Sequence, residues 1–150
     1  MNSYWIDSTK GLDKKNTIDD DYIADVCIIG AGICGLSTGY YLAKIGLKVI
    51  IIDKDLIGNK ASGNTTAKIT LQHNLIYDYL INSFSKEFAL GYFLSNKKAI
   101  SNIKNIIDEE EIDCDFEYQS NFVYTKNQAE LSKIQKEVNS INLLNALERK

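Results

Sequence analysis

The sequence contains no proline, and it has one histidine, one tryptophan and only three cysteines. Without proline, turns must rest on Gly, Asn, Asp and Ser. The cysteines, at 27, 34 and 114, are an odd number at spacings unlike any metal or redox motif, so they read as reduced, mostly buried small side chains. A Rieske cluster needs two histidines and two cysteines, which a chain with His73 alone does not supply. No apolar run approaches the roughly 18 residues of a membrane span. The opening MNSYWIDSTK lacks the basic start and apolar middle of a signal peptide, so a cytoplasmic location is the default expectation. A net charge of −3, with no basic cluster, gives nucleic acid nothing to bind. With 45% hydrophobic and 25% charged residues, the 150-residue chain has the composition and size of one globular domain with a core.

What is present centres on Ala24 to Asp53, ADVCIIGAGICGLSTGYYLAKIGLKVIIID. An apolar run (Val26 to Ile29) leads into Gly30, Gly32 and Gly35, then an amphipathic segment from Ile33 to Lys44, a second apolar run (Val49 to Ile52) and an acid. This is a G-x-G-x-x-G fingerprint inside a strand-helix-strand unit, as a dinucleotide requires. Gly30 permits a sharp turn, Gly32 leaves room for a pyrophosphate, and Gly35 lets the helix pack closely on the strands. The helix then aims its free N–H groups, beginning with Ile33, at the anion, so no lysine or arginine is needed there. Asp53 stands near the spacing of about 20 residues expected for the carboxylate that accepts from the adenosine ribose, and it would repel a 2′-phosphate. An ordinary strand-end acid is the alternative. Gly39, in mid-helix, costs about 1 kcal/mol against alanine.

The next segment, Lys54 to Lys68, is a small-residue loop in which Ser62, Gly63, Asn64, Thr65 and Thr66 offer several donors. It leaves the carboxyl end of the second strand, where ligands of open α/β sheets bind, although a solvent-exposed turn has a similar composition. Residues 1 to 23 read as a polar lead-in arm in which Tyr4 and Trp5 either dock elsewhere or stay disordered. From about Ile76 to Glu110 one or two amphipathic helices are expected, with Phe84, Phe88 and Tyr92 and then Ile100, Ile103 and Ile107 as a packing stripe. Residues 112 to 118 and 122 to 125 read as a hairpin. Asn127 and Glu130 resemble a cap box opening a last helix striped by Leu131, Ile134, Val138 and Ile141. The acidic runs Asp19 to Asp21 and Asp108 to Glu111 read as solvated faces or helix ends. A second strand that leads into helices rather than further alternation suggests the start of a larger, interleaved protein.

With those residues in view, the fingerprint and the segment ASGNTTAKITLQHNLIYDYL resemble the N-terminal part of FAD-dependent oxidoreductases of the D-amino-acid oxidase (glycine oxidase-like) family. The TTAKIT and QH-x-L-I-Y segments resemble its bacterial branch whose full-length members carry a C-terminal Rieske domain. The likeness spans roughly Tyr4 to Glu137. It implies the N-terminal part of a Rossmann-like FAD-binding fold: a βαβ unit with its cofactor loop over 24 to 75, then helices and a hairpin over 76 to 150 that begin an α+β substrate domain. It also implies that Gly30, Gly32 and Gly35 hold the FAD pyrophosphate and Asp53 the adenosine ribose. Ser62 to Ala67 would lie against the pyrophosphate, ribityl chain or flavin edge, and Lys54 would line the adenine pocket.

The activity implied is hydride transfer from a small amine-type or similar substrate to flavin N5, with no acid or base assigned in this segment. His73 would fall near the flavin loop, but its polar surroundings, without a cysteine or carboxylate at triad spacing, read as structural. The family position of Gly39 usually holds alanine. Ending at Lys150, the chain is expected to be incomplete and inactive alone and to retain FAD weakly or not at all. The rival readings are an NAD-binding module and a non-catalytic stub that needs a complementing chain.

Overall fold

The computed structural model describes residues 3–9 and 17–148. Met1, Asn2 and residues 10–16 of the expected arm, and residues 149 and 150, lie outside the described residues. The chain divides into two units, Met1–Lys68 and Ile69–Lys150, so the arm belongs with the first and the division falls between Lys68 and Ile69.

In the first unit a short helix α1 (Tyr4–Ser8) precedes strand β1 (Val26–Ile29), helix α2 (Ile33–Lys44) and strand β2 (Val49–Ile52). The strands pair in parallel from Val26 beside Val49 to Ile29 beside Ile52, the arrangement that a helical crossover allows. Ile28 and Ile51 meet α2 at its glycines. A Cβ on Gly39 would lie 2.6 Å from Ile51 Cδ1, so the glycine that weakens the helix also brings it onto the sheet. Alternation along β1 sends Cys27 and Ile29 to the other face, where Ile29 is 86% exposed. The cysteines are therefore not buried as expected. Cys27, Cys34 and Cys114 are all free and exposed, Cys27 on the wall of an open cavity that it shares with residues 17–22, Ile50 and Ile52.

The second unit packs α3 (Ile76–Ser83), α4 (Lys86–Glu109) and α5 (Leu131–Glu148) around Tyr77, Leu80, Ala89, Phe93 and Leu144. Ser85 caps α4 by accepting from the Phe88 N–H at 3.1 Å. Burial pushes the Tyr77 phenol up to about 12, so it keeps its proton and donates to the Leu71 carbonyl.

Three expectations need correction here. Phe84, the C-cap of α3, and Phe88 of α4 stack at 4.6 Å but are exposed, and of the three aromatics Tyr92 alone packs against the core; the buried row of α4 lies one residue on, at Ala89 and Phe93. On α5 the buried positions are Glu137, Ser140 and Leu144, with Ile141 packed beside them, whereas Leu131 and Val138 are exposed. No strand forms between 110 and 127, so the hairpin is absent and the described residues of this unit are helices and loops rather than α+β. Left-handed backbone at Glu111 and Asp115 interrupts the extended run, and Tyr118, Phe122 and Tyr124 are left exposed. A lone two-stranded hairpin without a layer to pack on is marginal in water. Asn127 does cap, accepting from the Ala129 N–H at 3.0 Å, ahead of a 3-10 turn over Gln128–Glu130. Glu130 pairs with Lys133. The acidic runs at 19–21 and 108–111 are exposed, as solvated residues should be.

Candidate cofactor site

The turn after β1 is built as its glycines dictate. Gly30 sits at φ +109°, a region L side chains rarely enter, and its N–H donates to the Ile52 carbonyl at 2.7 Å, closing the turn against the end of β2. Gly32 is the N-cap of α2, and a Cβ there would stand 3.3 Å from Ser62 Oγ. A Cβ on Gly35 would fall 1.9 Å from the Gly30 carbonyl oxygen, so this glycine lets the helix start directly against the turn.

Asp53 ends β2 beside that turn. Its Oδ2 accepts from the Ala31 N–H at 2.7 Å and its Oδ1 from the Asp55 N–H at 2.9 Å. Those bonds, Ala31 first and Asp55 second, hold its carboxyl below the ordinary value of 3.8. A folded pKa below the unfolded one gives a contribution present above the unfolded value and lost as pH falls through the folded one. The Ala31 amide resonance is therefore expected to stay constant above about pH 5 and to shift at pH below 3.8 in acid titration by NMR, a step that Asp53→Ala abolishes. An Ala31 amide that titrates identically in the variant would show that this bond does not form.

The loop after β2 closes on the same turn. The Gly58 N–H donates to the Ala31 carbonyl at 2.9 Å, and Ser62 Oγ accepts from the Ile33 N–H at 2.9 Å. Lys60 pairs with Asp55, whose carboxyl its ammonium lowers to about 2. Ser62–Asn64 form one 3-10 turn, Asn64 Nδ2 donates to the Lys60 carbonyl, and Thr65 Oγ1 accepts from the N–H of Ala67, itself at φ +53°. Lys54, Thr66 and Ala67 are exposed. Gly30, Gly32, Ile33, Gly35, Asp53, Ser62 and Gly63 are thus brought together around one turn, Lys54 adds a weaker backbone hydrogen bond to the Asp53 carboxylate, and Thr66 stands exposed at the margin. His73 belongs to the second unit, where its Nδ1 lies 3.0 Å from the Tyr92 hydroxyl.

This set fits a dinucleotide. The Ile33 N–H is taken by Ser62 Oγ, while those of Cys34 and Gly35 have no partner within their helix and stand at the positive end of its dipole. Each Asp53 oxygen keeps a second lone-pair direction for a ribose hydroxyl. The bond between Ala31 and Asp53 and the Ser62 contact were not legible in the sequence, since neither spacing nor composition marks them. Among the described residues no group of three or more His, Cys, Asp or Glu is placed to hold a metal, and no helix is long and apolar enough to cross a membrane.

A parallel βαβ unit with a glycine turn, an open helix N-terminus and a carboxylate at the end of its second strand defines a nucleotide-cofactor-binding protein of Rossmann-like fold. The sequence model of the family described as FAD dependent oxidoreductase (DAO) matches residues 25–149, and the chain belongs to that family, whose cofactor is FAD. It is 40% identical over 135 residues, 90% of its length, to the Rieske 2Fe-2S iron-sulfur protein YhfW of Bacillus subtilis, covering 26% of that protein. It is 28% identical over 116 residues, 76% of its length, to gamma-glutamylputrescine oxidoreductase of Escherichia coli, covering 27%. A thiamine thiazole synthase of Saccharolobus islandicus is 40% identical over 67 residues, 43% of this chain and 24% of that one. The chain thus spans about a quarter of the length of these curated relatives. No solved structure matches it at the stringency these relatives meet.

Proposed function

We propose that this chain forms the pyrophosphate and ribose side of an FAD site in an oxidoreductase acting on a small amine-type substrate. The observation that carries the reading is the convergence of Gly30, Gly32, the Ile33 N–H and Asp53 on one turn, with the Ser62 loop closed over it. The α2 N-terminus and the Gly32 backbone would hold the pyrophosphate, with Gly35 keeping the helix close to the turn, and the free lone pairs of Asp53 the ribose hydroxyls. Ser62 to Ala67 would lie along the pyrophosphate and ribityl chain, and Lys54 beside the adenine. FAD, when bound, accepts a hydride from the substrate, and the protein's part is to orient both and exclude water. The similarity to a gamma-glutamylputrescine oxidoreductase supports an amine-type substrate. Similarity to a Rieske 2Fe-2S protein supports an iron-sulfur partner as the electron acceptor.

The reading is tested by following the melting of the purified chain with FAD, NAD and NADP in turn. FAD is expected to raise the melting temperature and the other two to leave it within error. Stabilisation by NAD alone would replace this proposal with an NAD-binding module. A second proposal rests on the sheet itself. Ile29 is 86% exposed on a two-stranded sheet, and strands of parallel sheets are buried on both faces, so further protein, in a longer form or a complementing chain, is expected to cover it.

A further inference from the structure

The loop Ser62–Thr65 is held from two sides. One is the glycine turn, through Ser62 to the Ile33 N–H and through Gly58 to Ala31. The other is α1. Ser3 Oγ donates to the Gly63 carbonyl and, as the N-cap of α1, accepts from the Ile6 N–H at 3.3 Å. Trp5 Nε1 donates to the Thr65 carbonyl at 2.8 Å. Ile6 closes on Gly63 so tightly that a Cβ there would lie 3.0 Å from Ile6 Cγ1 and 2.5 Å from the Gly58 carbonyl oxygen.

A helix of five residues does not persist alone in water, and a single 3-10 turn has little order of its own, so each depends on these contacts. The polarity of the contacts matters as well. A carbonyl oxygen turned toward a pyrophosphate repels it, and those of Gly63 and Thr65 are both engaged by donors of α1. We infer that Ser3–Thr9 is a clamp that positions the loop Ser62–Thr65 for FAD, with Ser3, Trp5 and Ile6 as its positioning residues; this rests on the reading that the loop contacts FAD. The clamp lies outside the residues matched by the family, which begin at 25.

The test has one readout that needs no cofactor. Hydrogen exchange of amides 61–67 in the FAD-free chain is expected to quicken several-fold in Trp5→Phe and Ile6→Ala, with β1 and β2 unchanged, and Ile6→Val is expected to restore the protection. In flavin-fluorescence titrations the FAD dissociation constant is expected to rise about fivefold in Trp5→Phe, the weight of one hydrogen bond. Because Trp5 is the only tryptophan, its emission in Ser3→Ala reports release of the clamp directly, as a shift to the red and stronger quenching by acrylamide. Exchange rates that do not respond to any of these substitutions overturn the clamp, and so does an FAD constant that stays the same in all of them. A wild-type chain that does not respond to FAD sinks the cofactor reading, and the exchange rates still decide the clamp.

Discussion

Gly35→Ala is expected to destabilise the chain by about 3 kcal/mol and to abolish its stabilisation by FAD. The added Cβ would stand 1.9 Å from the Gly30 carbonyl oxygen, 3.1 Å from the Gly30 carbonyl carbon and 3.3 Å from Ile28 Cγ2. The first two are backbone atoms of the turn, which is pinned by the Gly30 N–H on Ile52 and the Ala31 N–H on Asp53. No rotamer change relieves that contact. Either α2 leaves the strands or the turn opens, and both move the N–H groups proposed to hold the pyrophosphate. Gly39→Ala is the control on the same helix. Its Cβ meets side chains alone, closest at the Ile51 Cδ1 tip, which can rotate away, and at ordinary contact distance from Ile28 Cδ1; the better helix propensity of alanine returns about 1 kcal/mol, so a net change under about 1 kcal/mol is expected. Urea denaturation with and without FAD measures both, and equal effects of the two substitutions would refute the close packing at Gly35.

The second large effect is expected at Glu137→Ala, a loss of about 3 kcal/mol in the second unit. The N-cap of helix α3 is Leu75, a residue with no side chain able to cap it. The cap comes instead from α5. Glu137, only 2% exposed, accepts from the Tyr77 N–H at 3.0 Å and the Gln72 amide at 2.7 Å through Oε1, and from the Asp78 N–H at 2.8 Å through Oε2. A carboxylate at a helix N-terminus also meets the positive end of the helix dipole. Truncation leaves these donors without their acceptor, and an unsatisfied buried donor costs more than a made bond contributes. Glu137→Gln keeps one acceptor oxygen but turns an amide N–H₂ toward donors, so an intermediate loss is expected. Near-UV circular dichroism during denaturation follows Tyr77 in this core, and a Glu137→Ala chain within about 0.5 kcal/mol of wild type would mean that the cap is dispensable.

Local chemistry was legible where one short stretch contains the whole reason. Val26–Ile29, Ile33–Lys44 and Val49–Ile52 fall where apolar runs and helical periodicity predicted them, and α3 and α4 occupy the expected helical region. The cap at Asn127 is likewise a matter of three adjacent residues. Faces were less legible. Phe84 and Phe88 mark a helical row as well as Ala89 and Phe93 do, and only the packing of α3 and α5 decides which row is buried. The segment 110–127 has strand-forming residues, but the described residues of its unit form no sheet for it to join, so its propensity has no outlet there.

The sequence by itself determined the glycine turn, the parallel βαβ unit and the carboxylate at the end of β2, because each depends on backbone geometry and periodicity within some thirty residues. Tertiary structure alone decided what those parts touch. It puts Asp53 on the Ala31 amide, Ser62 on the first N–H of α2, Trp5 on the Thr65 carbonyl and Glu137 at the head of α3. Each of these is a hydrogen bond between residues far apart in the chain. Such a bond depends on where two elements come to rest, and neither residue's local pattern records it.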